Sequence, residues 1–498
     1  MVIRVLYSGL LFFVVGIISI ITGLIFTLII TRSIEPVDFG SWTLIMNLVF
    51  YVSLIQPLTS FWIIREIARG EKSATTGILS TSIFSLLGML FFIGMSILVS
   101  PSTGTELDIM LFAIFIIPIT FLNDLFLSIT TSHKPHLASL SKLILEIFKV
   151  PLGIFFIIFL DLGIHGVIIS YSLANIPSII FLIYSSREKI SKTIEFAYIK
   201  KWIRFSWISV YPGIYSLLRT IDVVIFSVIT SSTLGLAYYG AALAVSSIVM
   251  HSSSILGAVY PKLLSENKTD YLSDVILKTI YFTIPLIAIS ITFSRQGLFA
   301  LNPIYESASI LVIFLTIKFS LMGFNRAFEN FLKGIEKIDI NTNSTFRDYI
   351  QSSLFKIPTL RIIQNSTYLI LLIIVLQLLN SKISESELLM VWTILGLVCV
   401  FPVTLYLLIL VRKNFQINLE KKLISKFILV SVIIFPIMHL ISENFLEYDE
   451  SLFNFIPKLA LIIFSSLVFY VILNHIFDSK IRMFHKSIIN EILKKDNL

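Results

Sequence analysis

Charge is scarce in this chain. Asp, Glu, Lys and Arg make up only 14% of its 498 residues, whereas a water-soluble domain carries about a quarter. That deficit excludes a soluble globule of this length, because too few charged groups exist to cover its surface. The surplus apolar surface has to face lipid. Cysteine is almost missing too: the single Cys399 lies in an apolar run, which excludes an internal disulfide framework and a cysteine metal cluster. No G-x-x-x-x-G-K stretch occurs, so the chain has no P-loop with which to drive a pump by ATP. The Asp38-Phe39-Gly40 triplet matches a kinase fragment, but the glycine-rich and catalytic loops that give it meaning are missing. Long polar stretches between apolar runs are absent on one side, which leaves no room for an external catalytic domain. No catalytic residue, metal site or cofactor is therefore expected. His133 and His136 read as solvated loop residues.

What is present is apolar sequence. Hydrophobic residues reach 56% and the mean hydropathy is +0.93. The run from Val5 to Ile30 is too long for a signal h-region and lacks a small-residue cleavage site, so it is expected to stay as a first transmembrane helix. A bilayer core takes about 20 apolar residues per helix. On that measure spans fall near 6–30, 41–63, 76–99, 109–130, 137–160 and 164–185. A second set falls near 205–229, 234–258, 276–299, 306–332, 362–380 and 388–411, and two more near 425–442 and 455–477. The expected fold class is an all-α integral membrane protein of about fourteen transmembrane helices. It comprises two six-helix lobes related by a pseudo-two-fold axis, residues 1–190 and 191–411, with two extra helices and a basic amphipathic tail over 412–498.

Basic residues test the count. Alternate loops hold nearly all of them, from Arg65, Arg69 and Lys72 through the Arg187–Arg204 group to Arg412–Lys426 and the tail. The opposite side holds only Arg32, Arg295, Lys382 and Lys458. Positive loops stay cytoplasmic, so both termini are expected inside a cytoplasmic membrane. The net charge of +8 then reports orientation rather than a nucleic-acid partner. The segments 334–361 and 480–495 carry apolar residues at helical spacing among polar and basic ones, as interfacial helices do.

A shift of 200 residues sets T-R-S-I-E-P-V-D-F-G (31–40) against S-S-T-L-G-L-A-Y-Y-G (231–240), so that Phe39 meets Tyr239 and Gly40 meets Gly240. Each block joins two apolar spans on the outer side, the layout of a parallel-repeat transporter. Pro36 and Gly40 read as the residues of a tight turn, with Arg32 and Asp38 complementing the two helix ends it joins.

Charge inside the membrane is costly and marks a functional site by default. Span ten carries Lys318, Asn325, Arg326 and Glu329; span five carries Lys142, Glu146 and Lys149 on one face; span seven carries Arg219 and Asp222; span four adds Asn123 and Asp124. Lys318, Arg326, Arg219 and Lys149 are the candidates for an anionic, phosphate-bearing ligand, since cations suit phosphate oxygens. Asp124, Glu146, Asp222 and Glu329 are candidates for ion coupling or for local pairing with those cations.

The segment Thr31–Leu44 resembles the first external turn of polysaccharide-export flippases, where an Arg, an apolar residue, Pro, an acid, an aromatic and Gly precede span two. Similar landmarks follow: Arg65 with Ile67-Ala68, Leu162-Gly163-Ile164-His165-Gly166, Asp222, Tyr239-Gly240, Tyr260-Pro261-Lys262-Leu263, and Asn302-Pro303-Ile304-Tyr305-Glu306-Ser307-Ala308. Over roughly residues 1–480 the chain resembles Wzx-like O-antigen or polysaccharide flippases of the multidrug/oligosaccharidyl-lipid/polysaccharide superfamily. That resemblance implies a V-shaped pair of lobes working by alternating access. It implies movement of a polyprenyl-(di)phosphate-linked oligosaccharide between leaflets, cationic residues lining the lumen and, in some members, ion coupling. The partners implied are that lipid-linked substrate, membrane lipids and glycan-assembly proteins. A cation-coupled drug or metabolite exporter of the same superfamily is the alternative.

Overall fold

The computed structural model describes residues 5–483 apart from 69, 191–192, 205, 251, 253–271, 336–345, 416–419, 449–451 and 478–479. The described residues are helical, without a strand. In chain order the helices are α1 (Val5–Ser33), α2 (Pro36–Ser53), α3 (Pro57–Ala68), α4 (Ala74–Thr103), α5 (Leu107–Phe112), α6 (Ile116–His133), α7 (Pro135–Gly153) and α8 (Gly163–Ser186). Then come α9 (Phe196–Arg204), α10 (Ser206–Thr220), α11 (Asp222–Thr230), α12 (Leu234–Ser246), α13 (Leu272–Thr292), α14 (Ser294–Leu301), α15 (Ser309–Gly334) and α16 (Phe346–Gln351). The last four are α17 (Ser353–Leu379), α18 (Glu385–Asn414), α19 (Lys421–Phe445) and α20 (Leu452–Phe477).

Among the described residues nine helices are long and apolar enough to cross a membrane. Counting the pairs α2–α3 and α13–α14, bent by 55° and 66°, as one span each raises this to eleven. Two shorter apolar helices, Ile21–Ser33 and Leu234–Met250, and the charged α7 occupy the other expected positions. Each of the fourteen expected spans thus meets a helical segment.

The helices are patterned for lipid. On α4, Leu86, Leu90, Phe91 and Leu98 are exposed, while Thr81, Ser85, Gly88 and Ser96 are buried. Large apolar side chains face out and small or polar ones face in, because lipid tails solvate leucine and small residues let helices approach closely. A methyl group added at Gly88 would lie 2.6 Å from Val52 Cγ1, and one at Gly77 2.4 Å from Ile63 Cδ1, so those glycines seat α4 on α2 and α3.

Two compact units are present. One comprises Met1–Ala244 with Ile338–Cys399, the other Val245–Lys337 with Val400–Leu498. In the first, Trp202 packs among Ile63, Ile67, Leu125, Phe126, Ile129 and Leu182. In the second, α19 and α20 pack on α13 and α14 through Phe427, Phe435, Tyr470, Tyr281 and Phe299. The C-terminal pair of helices is thereby part of a unit's core.

Four local readings change. The turn at 31–42 is tighter than expected: α1 runs to Ser33 and α2 starts at Pro36, with Pro at its first position and Asp38 in its first turn. Gly40 is therefore not a turn residue but sits inside α2. A Cβ there would lie 1.9 Å from the Thr233 backbone oxygen. One at Gly240 would meet Thr43 Oγ1 at 3.1 Å and the Phe39 ring at 3.3 Å. The two repeat-related stretches thus pack on each other. Second, span seven is divided at Ile221 into α10 and α11, with the Tyr51 hydroxyl donating to the Thr220 carbonyl at 2.5 Å. Third, α17 begins at Ser353 rather than near 362, so Leu354, Phe355, Lys356 and Arg361 belong to the long apolar helix rather than to a separate interfacial one. Fourth, α9 is a helix that hydropathy alone passes over. The remainder of the amphipathic segment at 336–345, His251, Tyr260–Leu263 and the tail beyond 483 lie outside the described residues.

Candidate functional site

The charged residues of the spans fall into three groups. In the first unit, α7 follows Pro135 at its first position and carries Glu146 and Lys149, each 9% exposed. They form an ion pair one turn apart, and Glu146 also accepts from the Thr22 hydroxyl of α1. Lys142, on the same face, lies within electrostatic reach of Asp124 on α6. Asn123 Nδ2 donates to Asn175 Oδ1 of α8 at 3.4 Å. The structure therefore gathers span four, five and six polar residues with α1 into one seam, in which the Lys149 charge is met by a carboxylate.

The second group surrounds the α10–α11 break. Asp222 is 3% exposed and opens α11, where its Oδ1 accepts the Val223 N–H at 3.0 Å. Its Oδ2 accepts the Tyr368 hydroxyl at 2.7 Å and the Trp392 indole N–H at 3.1 Å. The Trp392 N–H also reaches the Tyr368 oxygen at 2.8 Å. Trp392 is stacked between Phe226 and Tyr239, with ring centroids 4.7 and 4.0 Å away. Arg219 ends α10 beside this assembly, close enough to Tyr239 to act on it electrostatically. Its Nε is buried with no hydrogen-bond partner. Asp222 thus spends its acceptors on neutral donors rather than on the arginine three residues away. A buried guanidinium nitrogen without an acceptor is costly, and an anion can relieve that cost.

The third group lies on α15 in the second unit. Lys333 donates to Glu329 at 3.2 Å, one turn along. Arg326 is exposed and Lys318 half-buried. Asn325 is buried with both amide atoms unbonded. These five residues are close in sequence and share one helix.

Three residues were overlooked by sequence reasoning. Arg361 falls just outside the span expected at 362–380, yet it is buried in α17, donates to Gln364 at 2.8 Å and lies one turn before Asn365, which bonds its carbonyl. Only the early start of α17 reveals it, and the hydropathy of the segment offers no clear sign. Tyr368 and Trp392 supply the donors at Asp222; each sits in an apolar span where an aromatic reads as core. His133 is tied to the Ile129 carbonyl at 2.8 Å, a bond of its own helix.

Comparison with known proteins gives a fold. No family model matches the chain and no curated protein matches its sequence. The structure of the lipid II flippase MurJ in an inward closed conformation is similar, with a TM-score of 0.65 and 16% identity over 94% of this chain and 98% of that one. An inward-facing multidrug resistance MATE family transporter of the MOP superfamily is similar at a TM-score of 0.60 and 13% identity, over 80% and 95%. An outward-facing MATE structure has a TM-score of 0.54 and 14% identity. The chain has the fold of these MOP-superfamily membrane proteins. At such identities the likeness speaks of architecture alone.

Proposed function

We propose that this chain is a flippase that moves a polyprenyl-(di)phosphate-linked oligosaccharide across the cytoplasmic membrane by alternating access, for surface polysaccharide or glycan biosynthesis. The observation that carries the reading is Arg219: a guanidinium in a spanning helix whose Nε is buried without a partner, beside a carboxylate already satisfied by Tyr368 and Trp392. That leaves a cation suited to phosphate oxygens. The full-length likeness to a lipid II flippase supports the same substrate class. Lys318 and Arg326, on α15 of the second unit, are further candidate cations for the phosphate, and both termini lie in the cytoplasm with the basic loops. Lys149, bound to Glu146, joins the path only when that pair opens.

The test is flipping of a fluorescent polyprenyl-diphosphate oligosaccharide in proteoliposomes, read by quenching from outside. Replacing Arg219 by Ala slows flipping about 10- to 100-fold, the worth of a charge-assisted hydrogen bond of about 1.5–3 kcal/mol, with insertion and melting temperature retained. Undiminished flipping in Arg219→Ala, Lys318→Ala and Arg326→Ala would remove the site. A second reading, a cation-coupled exporter, draws on the acidic seam of Asp124 and Glu146 and on the MATE structures. It requires uptake of a cationic dye driven by a proton or sodium gradient and lost in Asp124→Asn.

A further inference from the structure

Helix α9 carries apolar groups on both faces, unlike a surface helix in water. Its inward face packs Trp202 into the core of the first unit and is tied there by polar bonds. Glu66 of α3, 1% exposed in its side chain, accepts from Lys201 Nζ at 2.9 Å and from the Trp202 indole N–H at 3.2 Å. The backbone N–H of Glu195, just before the helix, donates to Thr76 Oγ1 of α4 at 3.0 Å. Its outward face carries large apolar groups: Phe196 is 70% exposed and Ile203 59%. At about 100° per residue these two share one face two turns apart, with Lys200 and Arg204 toward the same side, and both cations are exposed. No acidic residue lies within Phe196–Arg204. The docked face, fixed by Glu66 and Trp202, prevents the helix from rolling to hide Phe196 and Ile203.

Its place in the chain confines it further. Helix α9 follows the span ending at Lys189 and leads directly into α10, so it lies at the level where spans leave the bilayer. Exposed aromatic and aliphatic groups beside basic ones at that level match the headgroup and acyl boundary of a leaflet, and the charge selects anionic lipid. Arg187 and Tyr184, stacked at 4.2 Å and both exposed, extend the same basic and aromatic character to the end of α8.

We infer that the outward face of α9 is a docking surface for the anionic lipid headgroups of the adjacent leaflet, with Phe196 and Ile203 inserted and Lys200 and Arg204 binding phosphate. The inference goes beyond the flippase reading and holds for any transported solute. Through Glu66, such lipid fixes the end of α3, and with it the first unit, to one leaflet.

Hydrogen–deuterium exchange of the full chain in nanodiscs tests it. Adding phosphatidylglycerol to phosphatidylcholine slows exchange of the 198–204 amides about fivefold per cation, equivalent to about 1 kcal/mol each. Raised salt cancels the gain in the unmodified protein, and so does the double variant Lys200→Gln/Arg204→Gln. The variant Phe196→Ser/Ile203→Ser speeds exchange in both lipids. Equal exchange in the two lipids would overturn the inference, and so would a gain that survives both salt and the double Gln variant. The salt comparison needs no variant, so a folding defect cannot blur the result.

Discussion

Glu66 and Asp222 solve one problem in two ways. Each is a carboxylate buried in the first unit, and each is bound by a tryptophan indole N–H from a distant helix. Glu66 adds a cation: Lys201 reaches it from α9, with 40% of its own side chain still exposed. Asp222 adds only neutral donors, the Tyr368 hydroxyl and the Val223 N–H. The first arrangement is charge-balanced and opens to solvent at one end. The second keeps a carboxylate among aromatic rings, with its acceptors taken by neutral donors. Glu66 fastens a helix; Asp222 fixes the interior around Arg219.

The strongest way to break the comparison is Asp222→Ala. It strands the Tyr368 and Trp392 donors in a packed interior and costs about 3–5 kcal/mol, read as a large fall in melting temperature in detergent. Glu66→Ala is expected to cost about 2–3 kcal/mol, because Trp202 is stranded while Lys201 turns to water. Glu66→Gln sharpens the contrast further. It keeps an acceptor for Trp202 and loses only a half-exposed ion pair, about 1 kcal/mol or less. If Glu66→Gln proves as damaging as Asp222→Ala, the two sites are not different in kind.

Much of the architecture was legible from residues. Hydropathy and the alternation of basic loops locate each spanning helix, since lipid imposes one length and one composition on all of them. The seam of Glu146 and Lys149 was legible too, because its pairing is local and spacing along a helix reveals it. Glu66 was not. It sits among the basic residues closing α3, and its partners lie 135 and 136 positions away. Asp222 was picked out by its charge, but Tyr368 and Trp392 lie 146 and 170 positions away in helices whose aromatic residues look like ordinary core. Arg361 was lost for another reason. Polar residues at a span boundary leave hydropathy flat, so the expected span starts nine residues after α17 does and a buried cation falls outside it. Charge marks a site from sequence, whereas the neutral groups that hold it are found only once the helices are brought together.

The approach of α2 to Thr233 has a consequence for inheritance. What stands 1.9 Å from a Cβ at position 40 is a backbone oxygen, a group that every amino acid carries. Nothing at position 233 can therefore relieve a side chain at 40 by becoming smaller. In a saturation library read by surface expression, position 40 accepts glycine and loses alanine and everything larger, since overpacking costs about 1–3 kcal/mol. Thr233 is itself buried and its hydroxyl donates to the Val37 carbonyl at 3.3 Å, so position 233 accepts only small residues, whereas position 40 accepts none but glycine.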